Sequence, residues 1–377
     1  MKFLFVPDSF KGTLSSNEVC DVLERCARRN FDDLVIERIP VADGGEGTVD
    51  VFLSLGLGEK IKVRSHNSFM EEKEGYYLFD KESKTAIVEL AVVAGLPEVY
   101  DRRDPTSTTT YGVGELIKDG VKRGAKKVIV ALGGSSTNDG GVGLACALGA
   151  KFFDFDGYEF LPVGGSLSDI ADIDVSGLEY LKDVEFSVMC DVDTVLTGDR
   201  SASAVYGPQK GASEADVLLL DKGLSRLSEL WKDIYKRDFS TLKGGGAAGG
   251  AGAGISAFLG GKLESGIEIV LRLLDFEKKL QGCDCVFTGE GKFDEQSFMG
   301  KVINGVSSKT KEKGVKLVVI AGVVKGVSKA DIESAGISAV YATNPNNLPF
   351  EEVRGRARED LEKTADKVFQ DLKNNII

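Results

Sequence analysis

Five short, glycine-rich polar loops carry nearly all the residues of this chain that could do chemistry. The first, Asp8-Ser9-Phe10-Lys11-Gly12, places a carboxylate, a hydroxyl and an ammonium just ahead of a helix signal. A helix start favours an anion and a lysine adds charge, so this loop suits a carboxylate or a phosphate. In the second, Asp43-Gly44-Gly45-Glu46-Gly47-Thr48, three positions lack a Cβ, so backbone can approach a ligand closely. Asp43 and Glu46 there could hold hydroxyls or Mg²⁺. The third, Gly133-Gly134-Ser135-Ser136-Thr137-Asn138-Asp139-Gly140-Gly141, is rich in hydroxyl and backbone donors and suits phosphate oxygens.

The fourth region starts at Cys190-Asp191-Val192-Asp193 and runs to Gly207-Pro208-Gln209-Lys210-Gly211-Ala212. A carboxylate at a strand end can act as a base, and a lysine between glycines can meet phosphate. The fifth, Thr288-Gly289-Glu290-Gly291-Lys292-Phe293-Asp294, again combines glycines, carboxylates and a lysine. Each loop could be a plain turn. Five of them beside strand ends are a stronger signal, because ligands of open α/β sheets bind outside the carboxyl ends of the strands.

Other chemistries fit less well. No phosphate-binding G-x-x-x-x-G-K-[ST] occurs, since Gly300-Lys301 is followed by Val302. Gly244, Gly246 and Gly249 fit G-x-G-x-x-G, but Ser240-Thr241-Leu242-Lys243 before them is no buried strand, so the run reads as close packing or a mobile loop. Asp191-Val192-Asp193 is similar to the strand end of haloacid-dehalogenase-type phosphatases, but that motif normally opens a chain. A non-enzymatic sugar-acid binding protein would use the glycines and lysines, yet would not need so many carboxylates at strand ends.

The elements that must position these loops alternate between buried strands and amphipathic helices, which argues for α/β units. Lys2–Val6 is a strand, and Ser15-Ser16-Asn17-Glu18 is a capping box that starts a helix. Leu34–Ile39, Lys127–Leu132, Phe186–Cys190, Cys285–Thr288, Lys316–Ala321 and Ala339–Ala342 are further strands, and Glu351–Lys373 a terminal helix. Tyr76–Phe79 and Ala86–Leu90 alternate as antiparallel strands do, and a hairpin turns at Asp156-Gly157. The middle thus differs in style from both ends. The expected division is a discontinuous α/β domain from residues 1–75 and 285–377 with a mixed α/β domain, 76–284, inserted. The cleft between them is the expected active site.

The chain has 377 residues, with 47 Lys and Arg against 59 Asp and Glu and a net charge of −12. Such a surface repels nucleic acid and anionic membranes. It also makes lysines set among glycines the natural places for an anionic substrate. No stretch reaches membrane-spanning length, and the first residues are too short an apolar run for a signal peptide. Six scattered cysteines without a C-x-x-C pair read as reduced thiols of a cytoplasmic protein. The lone His66, in Arg64-Ser65-His66-Asn67, reads as a surface loop residue, and its scarcity excludes a histidine-rich metal site.

Taken in order, the five loops resemble those of the type I glycerate kinases, over about residues 1 to 345. The resemblance implies ATP and Mg²⁺ dependence, D-glycerate as acceptor and 2-phosphoglycerate as product. It also implies a flavodoxin-like domain built from both chain ends with a second domain inserted. Which loops take glycerate and which take ATP stays open at this point. The candidates for glycerate are Asp8, Ser9, Lys11, Asp43, Gly44, Gly45 and Glu46, and those for ATP are Gly133, Gly134, Ser135, Ser136, Thr137, Asn138, Lys210, Gly289 and Glu290. Asp191, or secondly Asp294, is the general base, and the same two aspartates could ligate Mg²⁺. Replacing Lys11 or Lys210 by Met is expected to change kinetics while barely moving the melting temperature. The chain departs from the family's usual pattern at Thr194-Val195, where Asn-Pro is common, and at Lys292, where arginine is common.

Overall fold

The computed structural model describes residues 1–41, 47–298 and 301–377. Asp43, Gly44, Gly45 and Glu46, expected to hold substrate, lie outside the described residues, as does Gly300. The chain forms two compact units, one from Met1–Asp43 and Ser265–Ile377, the other Gly44–Glu264.

The first unit is built on five parallel strands in the order Ala339–Ala342, Lys316–Ala321, Cys285–Gly289, Lys2–Pro7, Val35–Arg38. Counted along the chain, that is 2-1-3-4-5, the flavodoxin order, as expected. The three central strands are near-continuous buried runs because both faces are covered, whereas the edge strands Val35–Arg38 and Ala339–Ala342 are only partly buried. On one face Phe3, Phe5 and Phe287 pack against Phe369 of the terminal helix Ala357–Lys373, the rings of Phe287 and Phe369 lying 5.0 Å apart. Ser16–Asn30 lies beside that helix, and Arg29 reaches Glu362 and Asp366 at 2.8 and 3.0 Å. The terminal segment is not one helix from Glu351. Phe350–Val353 and a 3₁₀ turn, Arg354–Arg356, precede Ala357–Lys373.

The second unit has a six-stranded sheet in the order Lys262–Glu264, Glu185–Met189, Lys127–Ala131, Thr85–Glu89, Glu72–Asp80, Glu59–His66. The first four pair in parallel, and Glu72–Asp80 pairs antiparallel with both Thr85–Glu89 and Glu59–His66. A smaller antiparallel sheet contains the hairpin expected at Asp156-Gly157, with Phe152 opposite Phe160 and Gly157 at φ +83°. Its turn is closed by the Asp154 carboxylate, which accepts from the backbone N–H of Asp156 and Tyr158 at 2.9 and 2.8 Å. Trp231, on the long helix Glu214–Tyr235, is fully buried against Phe239 and Phe258.

The units divide at 43/44 and 264/265, not at the expected 75/76 and 284/285. Glu59–His66 goes with the second unit because all eight of its residues pair with Glu72–Asp80. Helix Gly266–Leu273 goes with the first, where Ile267 presses against Gly305 so closely that a Cβ there would lie 2.8 Å from Cγ1. His66 ends that strand rather than sitting in a loop, with its Nδ1 3.0 Å from Glu115. All six cysteines are unpaired thiols. Among the described residues no helix is long and apolar enough to cross a membrane.

Candidate active site

In the first unit the strand order reverses between Lys2–Pro7 and Cys285–Gly289. That is where a crevice opens at the carboxyl edge of such a sheet. The loops leaving both strands are cross-linked. The backbone N–H of Asp8 donates to the Gly289 carbonyl at 2.8 Å, and the Thr288 hydroxyl to the Val6 carbonyl at 2.8 Å. Asp8 is buried, and its Oδ1 accepts from the Ser9 N–H at 2.6 Å. Phe10 and Leu14 then exchange backbone hydrogen bonds across a tight turn, with Gly12 at φ +80°. The turn delivers Ser15 to cap Ser16–Asn30 together with Glu18. Lys11, at the tip, is exposed.

Glycines let a third loop close in. A Cβ on Gly289 would lie 1.8 Å from the Ile320 carbonyl oxygen, and one on Gly322 would lie 2.3 Å from the Gly291 oxygen. Glu290 sits between them, 9% exposed, with its carbonyl accepting from the Gly322 N–H at 3.1 Å. Its side-chain Oε1 is buried and meets no hydrogen-bond partner among the described residues. Burial pushes the Glu290 carboxyl above the usual range, an effect that Asp294 adds to and that Ser297, Lys301 and Lys11 oppose. Asp294 behaves oppositely. Lys292, 2.6 Å away, holds it below the ordinary aspartate value. The first unit therefore brings together Asp8, Ser9, Lys11, Gly289, Glu290 and Asp294.

In the second unit the carboxyl ends of three adjacent parallel strands carry Glu89, the Gly133–Gly141 loop and Asp191. Asp191 is exposed, and its neighbour Asp193 pairs with Lys243 at 3.1 Å. Only the start of the glycine loop is accessible. Gly134 is exposed and Gly133 half-buried, whereas Ser135, Ser136, Thr137, Asn138 and Asp139 are buried. Ser136 donates to the Ala94 carbonyl at 3.0 Å and Asn138 to the Ser203 hydroxyl at 3.1 Å. The Asp139 carboxylate gathers the N–H groups of Thr110, Gly141 and Gly143 at 2.7 to 3.2 Å. Burial nevertheless raises its pKa. Thr137 Oγ1 and Asn138 Oδ1 have no partner.

Lys210 differs from its expectation as an anion-facing lysine. It is 2% exposed, and its Nζ donates to the Ser135 hydroxyl at 2.8 Å and the Thr137 carbonyl at 2.6 Å. Burial pulls its pKa down to about 7 against the charge of Asp139. It holds the loop from behind. The Gly244–Gly254 run has a similar job. Gly140 donates to the Gly249 carbonyl at 3.0 Å, and a Cβ on Gly249 would lie 2.1 Å from the Thr137 oxygen. Of the two readings of that run, close packing is the one found. Thr194, at the family's Asn-Pro position, bonds the Tyr206 hydroxyl at 2.9 Å and takes the Gly246 N–H on its carbonyl.

Glu89 was not anticipated. Its two oxygens accept from the N–H groups of Gly47 and Val49 at 2.9 and 3.1 Å, which anchors the first turn of helix Thr48–Ser54. The signal was present, a carboxylate at the end of the buried run Ala86-Ile87-Val88-Glu89, but strand alternation hides it.

A flavodoxin-order sheet edged with carboxylates, lysines and glycine loops is an arrangement for small anionic ligands. The comparisons make this specific. The glycerate kinase family matches residues 3–373. A glycerate kinase of Bacillus subtilis (strain 168) is 40% identical over 376 residues, covering 99% of this chain and 98% of that one. A glycerate 2-kinase of Escherichia coli (strain K12) is 42% identical over 344 residues, covering 91% and 90%. A crystal structure described as a glycerate kinase 2 of Salmonella typhimurium LT2 superposes with a TM-score of 0.87 at 37% identity, covering 100% and 99%. The chain belongs to the glycerate kinase family and is an enzyme.

Proposed function

We propose that this enzyme moves the γ-phosphoryl group of ATP to the 2-hydroxyl of D-glycerate, releasing ADP and 2-phosphoglycerate. The names of the relatives support the reaction. The single structural observation that carries it is the first unit's reversal point, where Asp8 and Glu290 are buried, Lys11 and Lys301 act on the Glu290 carboxyl, and Lys292 pairs with Asp294. Glycerate offers one carboxylate and two hydroxyls, which match lysines and carboxylates respectively. Its carboxylate binds near Lys11. The exposed Gly133-Gly134 end of the second unit's loop takes ATP phosphates, with Lys210 acting from behind through Ser135 and Thr137.

Phosphoryl transfer needs positioning and neutralisation more than covalent help. Mg²⁺ supplies neutralising charge when bound. Among the described residues no group of three or more His, Cys, Asp or Glu is arranged to hold a metal. On this proposal the ion would arrive on the nucleotide and take one or two protein carboxylates. Asp191, in the second unit, or Asp294, in the first, is the proposed oxygen donor. A coupled ADP-release assay over a panel of small hydroxyacids tests the reading. Activity with glycerate that requires Mg²⁺ supports it, and activity only with sugars or hydroxyaldehydes defeats it.

A further inference from the structure

We propose that Glu290 accepts the hydrogen bond of the substrate hydroxyl and takes its proton as that oxygen attacks the γ-phosphorus. The inference rests on the kinase reading above and deepens it. It gives Glu290 a different task from nucleotide binding, and it takes the base role from Asp191 and Asp294.

Three observations converge. The first is place. Glu290 directly follows Cys285–Gly289, beside Lys2–Pro7, at the reversal of strand order where ligands of this fold sit. The second is the unsatisfied oxygen. The surrounding backbone is cross-linked, with Asp8 bonded to Gly289, Gly322 to Glu290 and Val323 to Gly291. Thr288 is tied to Val6 as well. Among the described residues of this frame, Glu290 Oε1 is buried and has no hydrogen-bond partner. A buried carboxylate oxygen without a donor is rare in native proteins and calls for an occupant. An O–H group supplies it.

The third is the company it keeps. Lys11 and Lys301 act on Glu290 from two different loops, Asp294 opposes them, and the Ser297 hydroxyl lies alongside. A ligand that satisfies the empty oxygen within the positive field of the two lysines carries a hydroxyl donor and an anionic group a few bonds apart. That is a hydroxy acid. The rival carboxylates are less suited to accept a proton. Asp294 is committed to Lys292 at 2.6 Å and is held acidic. Asp191 is exposed, so water competes for it. Burial moves Glu290 the other way, towards the working pH of a general base.

In the step itself, the hydroxyl O–H bond breaks towards Oε1 as the oxygen–phosphorus bond forms. The bond from the γ-phosphorus to the β,γ-bridging oxygen breaks, and its electron pair leaves on ADP. Glu290 then returns the proton to solvent when product departs.

The test uses the full chain with Glu290→Gln and Glu290→Asp, measuring Mg²⁺-dependent ADP release with D-glycerate from pH 5 to 9. Glu290→Gln should fold, lower kcat by about 10²–10⁴ and leave the KM for ATP within a few-fold. The acidic limb of the wild-type kcat/KM profile should vanish. A Glu290→Gln kcat within five-fold of the parent, or an acidic limb that persists, overturns the inference. If Glu290→Gln does not fold, Glu290→Asp decides. A kcat at least ten-fold lower with a displaced acidic limb supports it, and an undisplaced limb overturns it. A wild-type protein inert towards glycerate would instead defeat the kinase reading itself.

Discussion

Lys210 and Ser135 lie 2.8 Å apart, amine to hydroxyl, and both side chains are shut off from solvent. A lysine that was expected to greet an anion instead braces the loop proposed to do so. Lys210→Met therefore should not leave the fold untouched. It strands the Thr137 carbonyl and the Ser135 hydroxyl, for a loss of about 1–3 kcal/mol, measured by urea unfolding at pH 8. The KM for ATP should rise through the loosened loop. A variant as stable as the parent would show that the brace carries no weight.

The same residue sets a pH dependence. Its folded pKa, about 7, lies below the value of about 10.4 for an unfolded lysine. Between these values the unfolded chain binds the extra proton, so stability contributed by this site rises with pH. The rise is at most about 1.4 kcal/mol per pH unit. Below pH 7 the full cost of burying the charge is present. The stability difference between the parent and Lys210→Met should thus widen in the parent's favour from pH 7 to pH 9. A difference constant with pH would contradict the assignment.

Gly249 and Gly260 form a matched pair, with φ of +64° and +65°. A Cβ on Gly249 would sit 2.1 Å from the Thr137 oxygen, whereas nothing lies within 4 Å of one on Gly260. Gly260→Ala should cost only the left-handed penalty of about 1–2 kcal/mol. Gly249→Ala should exceed it by at least about 2 kcal/mol, from overpacking against the glycine loop, and should reduce turnover too. Equal losses in parallel denaturant titrations would mean the two glycine segments do not press on each other.

Glu89→Ala removes the acceptor for two backbone N–H groups at the start of helix Thr48–Ser54. It should lower stability by about 1–3 kcal/mol. Glu89→Gln keeps the shape and one acceptor oxygen, and should recover part of that. Thermal unfolding of the two variants side by side checks the ranking. Gln faring worse than Ala would point to a role other than anchoring the helix.

The sheet of the first unit was legible because its central strands are short apolar runs such as Phe3-Leu4-Phe5-Val6 that lead into glycine-bearing loops. The capping box at Ser15 and Glu18 fixed the first helix start equally clearly. The boundary was not legible. Glu59-Lys60-Ile61-Lys62-Val63-Arg64-Ser65-His66 alternates like any half-exposed strand, and nothing in that pattern names its pairing partner. The loops of the site could be found by composition, but not their depth. Pro208-Gln209-Lys210-Gly211 reads as surface, and its lysine is buried only because Ser135 and Thr137 arrive from 75 and 73 residues away. Glu290 likewise could be seen as one carboxylate among several. Its empty oxygen emerges only once Gly289, Gly291 and Gly322 have drawn three loops together.

The central claim is direct phosphoryl transfer from ATP to glycerate, and ³¹P NMR of the purified protein with ATP, Mg²⁺ and D-glycerate tests it most directly. ADP and 2-phosphoglycerate should appear in equal amounts, with no inorganic phosphate beyond the enzyme-free control. Inorganic phosphate in place of phosphoglycerate, or a phosphorylated Asp191 trapped during turnover, would contradict it.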